Sequence, residues 1–256
     1  MAHFEIYQFL CRADNYGIII RDTKSGKVAS IDAPAAQPVL TELHRRKWQL
    51  THILTTHHHA DHTDGNLPIK SKTGCQIIGS SKEAEKTPGI DIKLKEGESF
   101  LFGSLEITVL GIPGHTSGHI AYWIPDASVV FVGDTLFPMG CGRVFEGTTY
   151  EMWQSLKKLC RLPPETKVYC GHEYTVANAM FALMFEPNNI ELQARFKKVQ
   201  ALRSQKLLTL PTTLSDELAT NPFIRADSPE IRARLNMKTT TTFEVFAELR
   251  RLKNAM

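Results

Sequence analysis

Between Thr56 and His62 the chain runs Thr-His-His-His-Ala-Asp-His, so four side chains able to ligate a metal, His57, His59, Asp61 and His62, fall within six residues. The apolar pair Ile53-Leu54 just before them marks the end of a buried strand. In extended backbone, side chains two apart point the same way. His57 and His59 therefore converge on one ion, Asp61 and His62, beyond the bend, face a neighbouring one, and His58 points away. A solvated polar loop would account for this stretch alone, but ligand-type residues recur downstream in the same setting. His115 lies in Gly111-Ile-Pro-Gly-His-Thr-Ser-Gly-His119, Asp134 follows Gly133, and His172 follows Gly171. Each comes after a β-branched or apolar run, and each has a glycine beside it, which lets backbone approach closely at a crowded site.

These seven side chains are too many for one ion. Zinc usually binds about four groups, so two ions sharing a carboxylate fit the count better. Asp134 is the expected bridge, because a carboxylate offers two oxygens. His57, His59 and His115 would then hold one ion, and Asp61, His62 and His172 the other. Imidazole and carboxylate ligands suit zinc and also iron or manganese. The expected cofactors are accordingly two divalent metal ions, zinc foremost. His119 is expected beside the ligands, orienting them, and His3, His44 and His52 have no ligand context.

Such residues need rigid elements to hold them together. Phe4 to Leu10, Tyr16 to Arg21 and Val28 to Ile31 are short β-branched and aromatic runs separated by Asp14-Asn15 and Ser25-Gly26, which predicts antiparallel strands at the start of the chain. Pro38 to Arg46 has helical spacing, with Val39, Leu40 and Leu43 on one side, and leads into a strand from His52 to Thr55 that delivers the motif. A short helix is expected from Asp64 to Lys70, a strand from Gln76 to Gly79, and a brief helix from Ser81 to Lys86. A hairpin is expected from Ser99 to Phe102 and Leu105 to Leu110, about Gly103-Ser104. Val129 to Val132 is apolar throughout, as in a strand buried on both faces. Tyr150 to Cys160 carries a helical stripe of Met152, Trp153, Leu156 and Leu159, and Lys167 to Cys170 is the last predicted strand.

From Tyr174 onward strands stop and helical patterns take over, at Tyr174 to Glu186, Ile190 to Gln205, Ser228 to Leu235 and Thr242 to Lys253. Ser228-Pro229 has the form of an N-cap followed by proline, and Thr241 with Glu244 that of a capping box. The expected organisation is a catalytic domain over residues 1–173 and a helical substrate-binding domain over 174–256 that packs on it.

Bulk properties narrow the function further. A net charge of +3 is too mild for a nucleic-acid partner, while a local basic patch would suit an anionic small substrate. The five cysteines are scattered and lack Cys-x-x-Cys spacing, which argues against a disulfide framework and a zinc ribbon. The N-terminal Met1-Ala-His-Phe-Glu lacks a basic region followed by an apolar stretch, and no apolar run of about 18 residues occurs. A cytoplasmic protein with no membrane partner is expected.

Taken together, Thr56 to His62, Gly111 to His119, Phe131-Val-Gly-Asp-Thr135 and Tyr169-Cys-Gly-His-Glu-Tyr174 resemble the metallo-β-lactamase superfamily. That resemblance implies an α/β fold, an αβ/βα sandwich of two mixed β-sheets flanked by helices, with a dinuclear site along one edge. Gly140-Cys-Gly-Arg-Val-Phe-Glu-Gly147, the Gly171 to Thr175 segment and a C-terminal all-α domain narrow it to the glyoxalase II, or hydroxyacylglutathione hydrolase, family. The implied reaction is hydrolysis of the thioester of S-D-lactoylglutathione to D-lactate and glutathione by a hydroxide bridging the two ions, with Asp61 and Asp134 as the catalytic carboxylates.

The same resemblance maps glutathione binding onto Arg143, Phe145 and Tyr174, and onto Arg250 and Lys253 in the last helix. Some relatives carry Lys and Tyr where this chain has Arg143 and Phe145. Arginine keeps the charge, whereas Phe145 has no side-chain donor, so its contact would fall to backbone. The expected partner is a small glutathione thioester, bound by a monomer.

Other chemistries fit less of the chain. A β-lactamase or lactonase would use the same cluster without the Gly140 to Gly147 segment or a basic pair in a C-terminal helix. A persulfide dioxygenase would hold one iron with two histidines and one aspartate, and a nuclease would need a broad basic surface. A non-catalytic module of this fold would have lost ligands, and none is missing.

Overall fold

Alternation of side chains along the first strands explains why the sheet they form is covered on both faces. In the computed structural model, which describes residues 3–256, β1 (Phe4–Leu10), β2 (Tyr16–Asp22), β3 (Val28–Ile31), β4 (His52–Leu54), β5 (Gln76–Ser80) and β6 (Ile92–Leu94) form one six-stranded sheet in chain order. The first three pair antiparallel and the rest parallel. Ile18, Ile20, Ile31, Leu54 and Ile78 point into the central core, and their neighbours Ile19, Val28, Ile53 and Ile77 point outward. There α1 (Ala36–Arg46) lays Val39 and Leu43 over the outward set, and α3 (Asn66–Thr73) adds Ile69. Between β4 and α3 lies the single helical turn α2 (Ala60–Thr63). The helix expected at Asp64 to Lys70 is α3, which starts two residues later and runs on to Thr73, whereas α2, beginning inside the metal motif, was not expected.

The second sheet is built from β7 (Ser99–Phe102), β8 (Leu105–Gly111), β9 (Ile120–Ile124) and β10 (Val129–Gly133). After a small two-stranded hairpin of β11 (Leu136–Phe137) and β12 (Gly140–Cys141), it is completed by β13 (Lys167–Cys170) and β14 (Thr212–Thr213). Its order is β14-β13-β10-β9-β8-β7, and only β10 and β13 run parallel. Phe102, Tyr122 and Phe131 from this sheet fill the core against the first. Two mixed sheets flanked by helices are the expected sandwich. The hairpin β11–β12 was not predicted, because two-residue strands leave no periodic signal.

The remaining helices are α4 (Thr149–Leu159), α5 (Thr175–Phe185), α6 (Ile190–Ser204), α7 (Leu214–Thr220), α8 (Pro229–Arg234) and α9 (Thr242–Asn254). Capping boxes at Thr148/Glu151 and Thr241/Glu244 start α4 and α9. Ser228 precedes Pro229 as expected, but its hydroxyl donates to Glu186 Oε1 at 2.6 Å and leaves the helix uncapped by a side chain. The tail is helical, yet it is not without strand. Thr212 and Thr213 pair with Val168 and Lys167, and α7, also unpredicted, follows directly. Phe181, Phe223, Val245, Phe246 and Leu249 belong to the same core cluster as the two sheets, so the tail shares the core of the sandwich.

Candidate active site

The loops after β4, β8, β10 and β13 meet at one rim, which is where an open sheet can hold loop residues rigidly together. All seven predicted ligands come together there. His57 Nε2 lies 3.2 Å from His59 Nδ1, and His115 Nε2 lies 3.0 Å from the same atom. A second group forms beside it, with His62 Nε2 3.2 Å from His172 Nε2 and Asp61 Oδ2 3.3 Å from His172 Nε2. Asp134 stands between the two, its Oδ2 3.5 Å from His115 Nε2 and 3.3 Å from His172 Nε2.

This arrangement fits metal ions. Zinc–nitrogen bonds of about 2.0–2.1 Å in a tetrahedron separate the ligand atoms by about 3.3 Å, close to the spacings seen. Asp134 Oδ1 is buried without a hydrogen-bond partner, an orphaned acceptor that a cation would satisfy. Two triads, His57/His59/His115 and Asp61/His62/His172, are each grouped closely enough to hold a metal ion, as is typical of a dinuclear site.

Electrostatics distinguish the halves. Burial pushes His57 well below the ordinary imidazole pKa and lowers His115 as well, so both rings stay neutral and ready to ligate. Burial acts on His62 and His172 too, but there carboxylates outweigh it. Asp134 and Asp32 hold His62 well above its usual value, and Asp134 with Asp61 pushes His172 up to about 10. Protons therefore compete with a cation for the second half more than for the first.

Second-layer contacts fix each ring. His115 Nδ1 lies 2.9 Å from the Arg143 carbonyl and His172 Nδ1 3.1 Å from Asp14 Oδ1, while Asn15 donates to Asp61 Oδ2 at 3.2 Å. His119 stacks on His57 at 4.6 Å and accepts the Asp134 N–H, so it orients two ligands without being one. Gly133 has φ +48, and a Cβ there would sit 2.7 Å from the His119 ring, which is why glycine must precede Asp134.

Asp32 escaped the sequence reading. At the end of β3 with φ 54, it accepts from the Thr56 N–H at 2.7 Å and faces His62 Nδ1 at 2.8 Å. The signal was available, since Asp32, like Asp134, is a carboxylate just past a short β-branched strand. Asp32→Ala is expected to weaken binding of the ion that His62 would hold about tenfold to a hundredfold, as loss of such supporting partners does. Chelator competition measures this, and an unchanged affinity would remove Asp32 from the site.

Beside the metal ligands opens a cavity of about 420 Å³ that His59, Asp61, His115, Asp134 and His172 share with Arg143, Phe145, Tyr174, Arg250 and Lys253. Phe145 is 61% exposed, and its ring stands edge-on to His59 and His115 at 5.9 and 5.2 Å. Its N–H already donates to the His115 carbonyl at 3.3 Å. The backbone N–H contact to substrate expected at Phe145 is therefore not free, and what this residue offers is an apolar ring. Tyr174 stacks on His172 at 4.9 Å with its ring nearly parallel. Burial, then the charges of Arg250 and Arg143, pull the Lys253 ammonium below its usual pKa, a crowding of cations that an anionic ligand relieves.

Arg250 is only 5% exposed and does more than line the cavity. It donates to the Cys141 carbonyl at 2.6 Å. The tail braces the β11–β12 hairpin elsewhere too: Asn221 Nδ2 donates to the Phe137 and Gly140 carbonyls at 3.2 and 2.9 Å, and Glu217 accepts the Met139 N–H at 2.8 Å. Neither Asn221 nor Glu217 carried a motif signal, because their role depends on which loop they meet.

Comparison with known proteins agrees with this geometry. Residues 173–256 match the family model described as hydroxyacylglutathione hydrolase C-terminus, and residues 23–172 that of the metallo-beta-lactamase superfamily. The chain is 51% identical over 250 residues to a hydroxyacylglutathione hydrolase of Methylococcus capsulatus, covering 98% of both chains. It is also 51% identical to a hydroxyacylglutathione hydrolase of Brucella ovis, covering 98% of this chain and 97% of that one. Among solved structures it is similar in fold to ETHE1 from Myxococcus xanthus, with a TM-score of 0.67, 24% identity and 98% of both chains covered.

Proposed function

Since this chain belongs to the hydroxyacylglutathione hydrolase family of the metallo-beta-lactamase superfamily and its reaction is hydrolysis of a hydroxyacylglutathione thioester, we propose that S-D-lactoylglutathione is its substrate and zinc its metal. The observation that carries this reading is that one cavity joins the two ligand triads to three cationic side chains, Arg143, Arg250 and Lys253. When bound, the two ions supply Lewis acidity, lowering the pKa of water towards neutrality and polarising the thioester carbonyl.

The chain's own residues do the rest. Asp134 holds the two ligand sets in register, and Asp61, held well below the usual carboxylate range chiefly by His172, accepts a hydrogen bond from the attacking water and aims it. Phe145 shields His59 and His115 from bulk solvent. Arg143, Lys253 and Arg250 bind the carboxylates of the glutathione moiety, with the Tyr174 hydroxyl beside them. Because a thiolate leaves readily, no strong general acid is needed.

On this reading residues 1–173 carry the metal and 174–256 the substrate side. The cavity takes its lining from both parts of the chain. All five cysteines are unpaired, in keeping with a cytoplasmic setting, and among the described residues no helix is long and apolar enough to cross a membrane. The test is turnover of S-D-lactoylglutathione by the zinc-loaded protein, followed by release of free thiol, against a β-lactam under the same conditions. The thioester is expected to win by at least about tenfold in kcat/KM. An equal or faster β-lactam turnover would reverse the assignment.

A further inference from the structure

His58 is the one histidine of the motif that the metal centre leaves over. Its ring lies between two carboxylates: Nδ1 is 3.1 Å from Glu83 Oε2 and Nε2 is 3.1 Å from Glu146 Oε1. Glu83 is buried and also accepts the His58 N–H and the Gly118 N–H, both at 2.9 Å. It thereby anchors the motif loop to the loop that carries His115. Glu146 sits next to Phe145 and accepts from Ser117, through both its N–H and its hydroxyl at 3.2 Å, and from Lys86 at 3.1 Å.

We infer that His58 and Glu146 form a clasp that holds the Arg143 to Gly147 segment over the metal centre, making both residues positioning residues for substrate binding. Elsewhere the segment is held at its start, by the Arg143 carbonyl 2.9 Å from His115 Nδ1 and by Val144 packed on the core. Its backbone N–H bonds at Phe145 and Gly147 are long, at 3.3 and 3.2 Å, and Arg143 and Phe145 are exposed. Contacts through Glu146 are what decide where the Phe145 ring and the Arg143 side chain stand. Neither His58 nor Glu146 lines the cavity, so the clasp acts through the segment and not on substrate.

This inference rests on the reading of Arg143 and Phe145 as substrate-binding, and the experiment separates the two. His58→Ala, Glu146→Ala, the double variant and the conservative Glu146→Gln are compared with the parent as zinc-loaded protein. Each alanine variant is expected to raise KM for S-D-lactoylglutathione about tenfold with kcat changed by less than about twofold and two ions retained. The double variant should be no worse than the poorer single, since Glu146→Ala already removes the contact that His58→Ala takes from the segment. Glu146→Gln should recover most of the KM. Amide hydrogen exchange over residues 143–147 should speed up in the alanine variants, a readout that needs no substrate. Unchanged exchange, additive effects in the double variant, or loss of an ion would overturn the clasp. Faster exchange with KM within about twofold of the parent would overturn the binding role of the segment instead.

Discussion

Asp134→Ala is expected to lower kcat/KM about ten-thousandfold, because on the proposed reading its carboxylate would serve both ions and its loss would withdraw a ligand from each. No other substitution should cost as much. His57, His59 and His115 retain three neutral imidazoles and can still hold one ion, whereas Asp61, His62 and His172 lose the carboxylate that stood 3.3 Å from His172. Elemental analysis should therefore fall from about two ions per chain towards one or fewer.

A titration supports the same test. Asp134 heads the influences that raise His172 against burial to about 10, so in metal-free Asp134→Ala that pKa should move down. A raised pKa gives stabilisation that is complete below the ordinary value of about 6.5 and lost as pH rises through about 10, and the variant should lack it. Two retained ions together with turnover within tenfold of the parent would show that the ions are held independently.

Arg250→Ala should have the next largest effect, and one different in kind from Lys253→Ala. Lys253 stands at the cavity with its ammonium 3.1 Å from the Ala177 carbonyl and half-buried. A contact remote from the thioester is alike in ground and transition states, so its loss should raise KM about tenfold and leave kcat nearly unchanged. Added salt should imitate part of that loss. Arg250 is buried, and besides facing the cavity it holds the Cys141 carbonyl at 2.6 Å.

Removing Arg250 leaves that acceptor unpaired and loosens the chain leading to Arg143, whose own carbonyl lies 2.9 Å from His115 Nδ1. Both KM and kcat should suffer, with kcat/KM down about a hundredfold or more. Arg250→Lys should not rescue, since an ammonium cannot reproduce the flat guanidinium that stacks over Phe223 at 5.3 Å. Steady-state kinetics on the three variants decide the matter, and an Arg250→Ala enzyme that changes only KM would reduce Arg250 to a plain ligand contact.

The metal centre was legible because its ligands are crowded in sequence or marked by glycine at strand ends. His57, His59, Asp61 and His62 announce themselves by spacing, and Gly114, Gly133 and Gly171 flag the other three. Most sheet strands were legible for the same reason that they form: β-branched residues alternate with period two, and both faces of the first sheet are covered. Short-range order of this sort is written in short windows of sequence.

What the tertiary structure decided is everything that depends on which distant segments meet. Asp32 supports His62 from thirty residues away, Asn221 and Glu217 brace a hairpin some eighty residues earlier, and Arg250 bonds that hairpin while lining the cavity. The two-residue strand β14 exists only because β13 presents an edge to it. Asn221 and Glu217 do not differ in type or spacing from ordinary polar residues of a loop or helix. Their roles come from hydrogen-bonding partners that burial must supply wherever it removes water, and those partners are chosen by the packing of the chain, not by its local pattern.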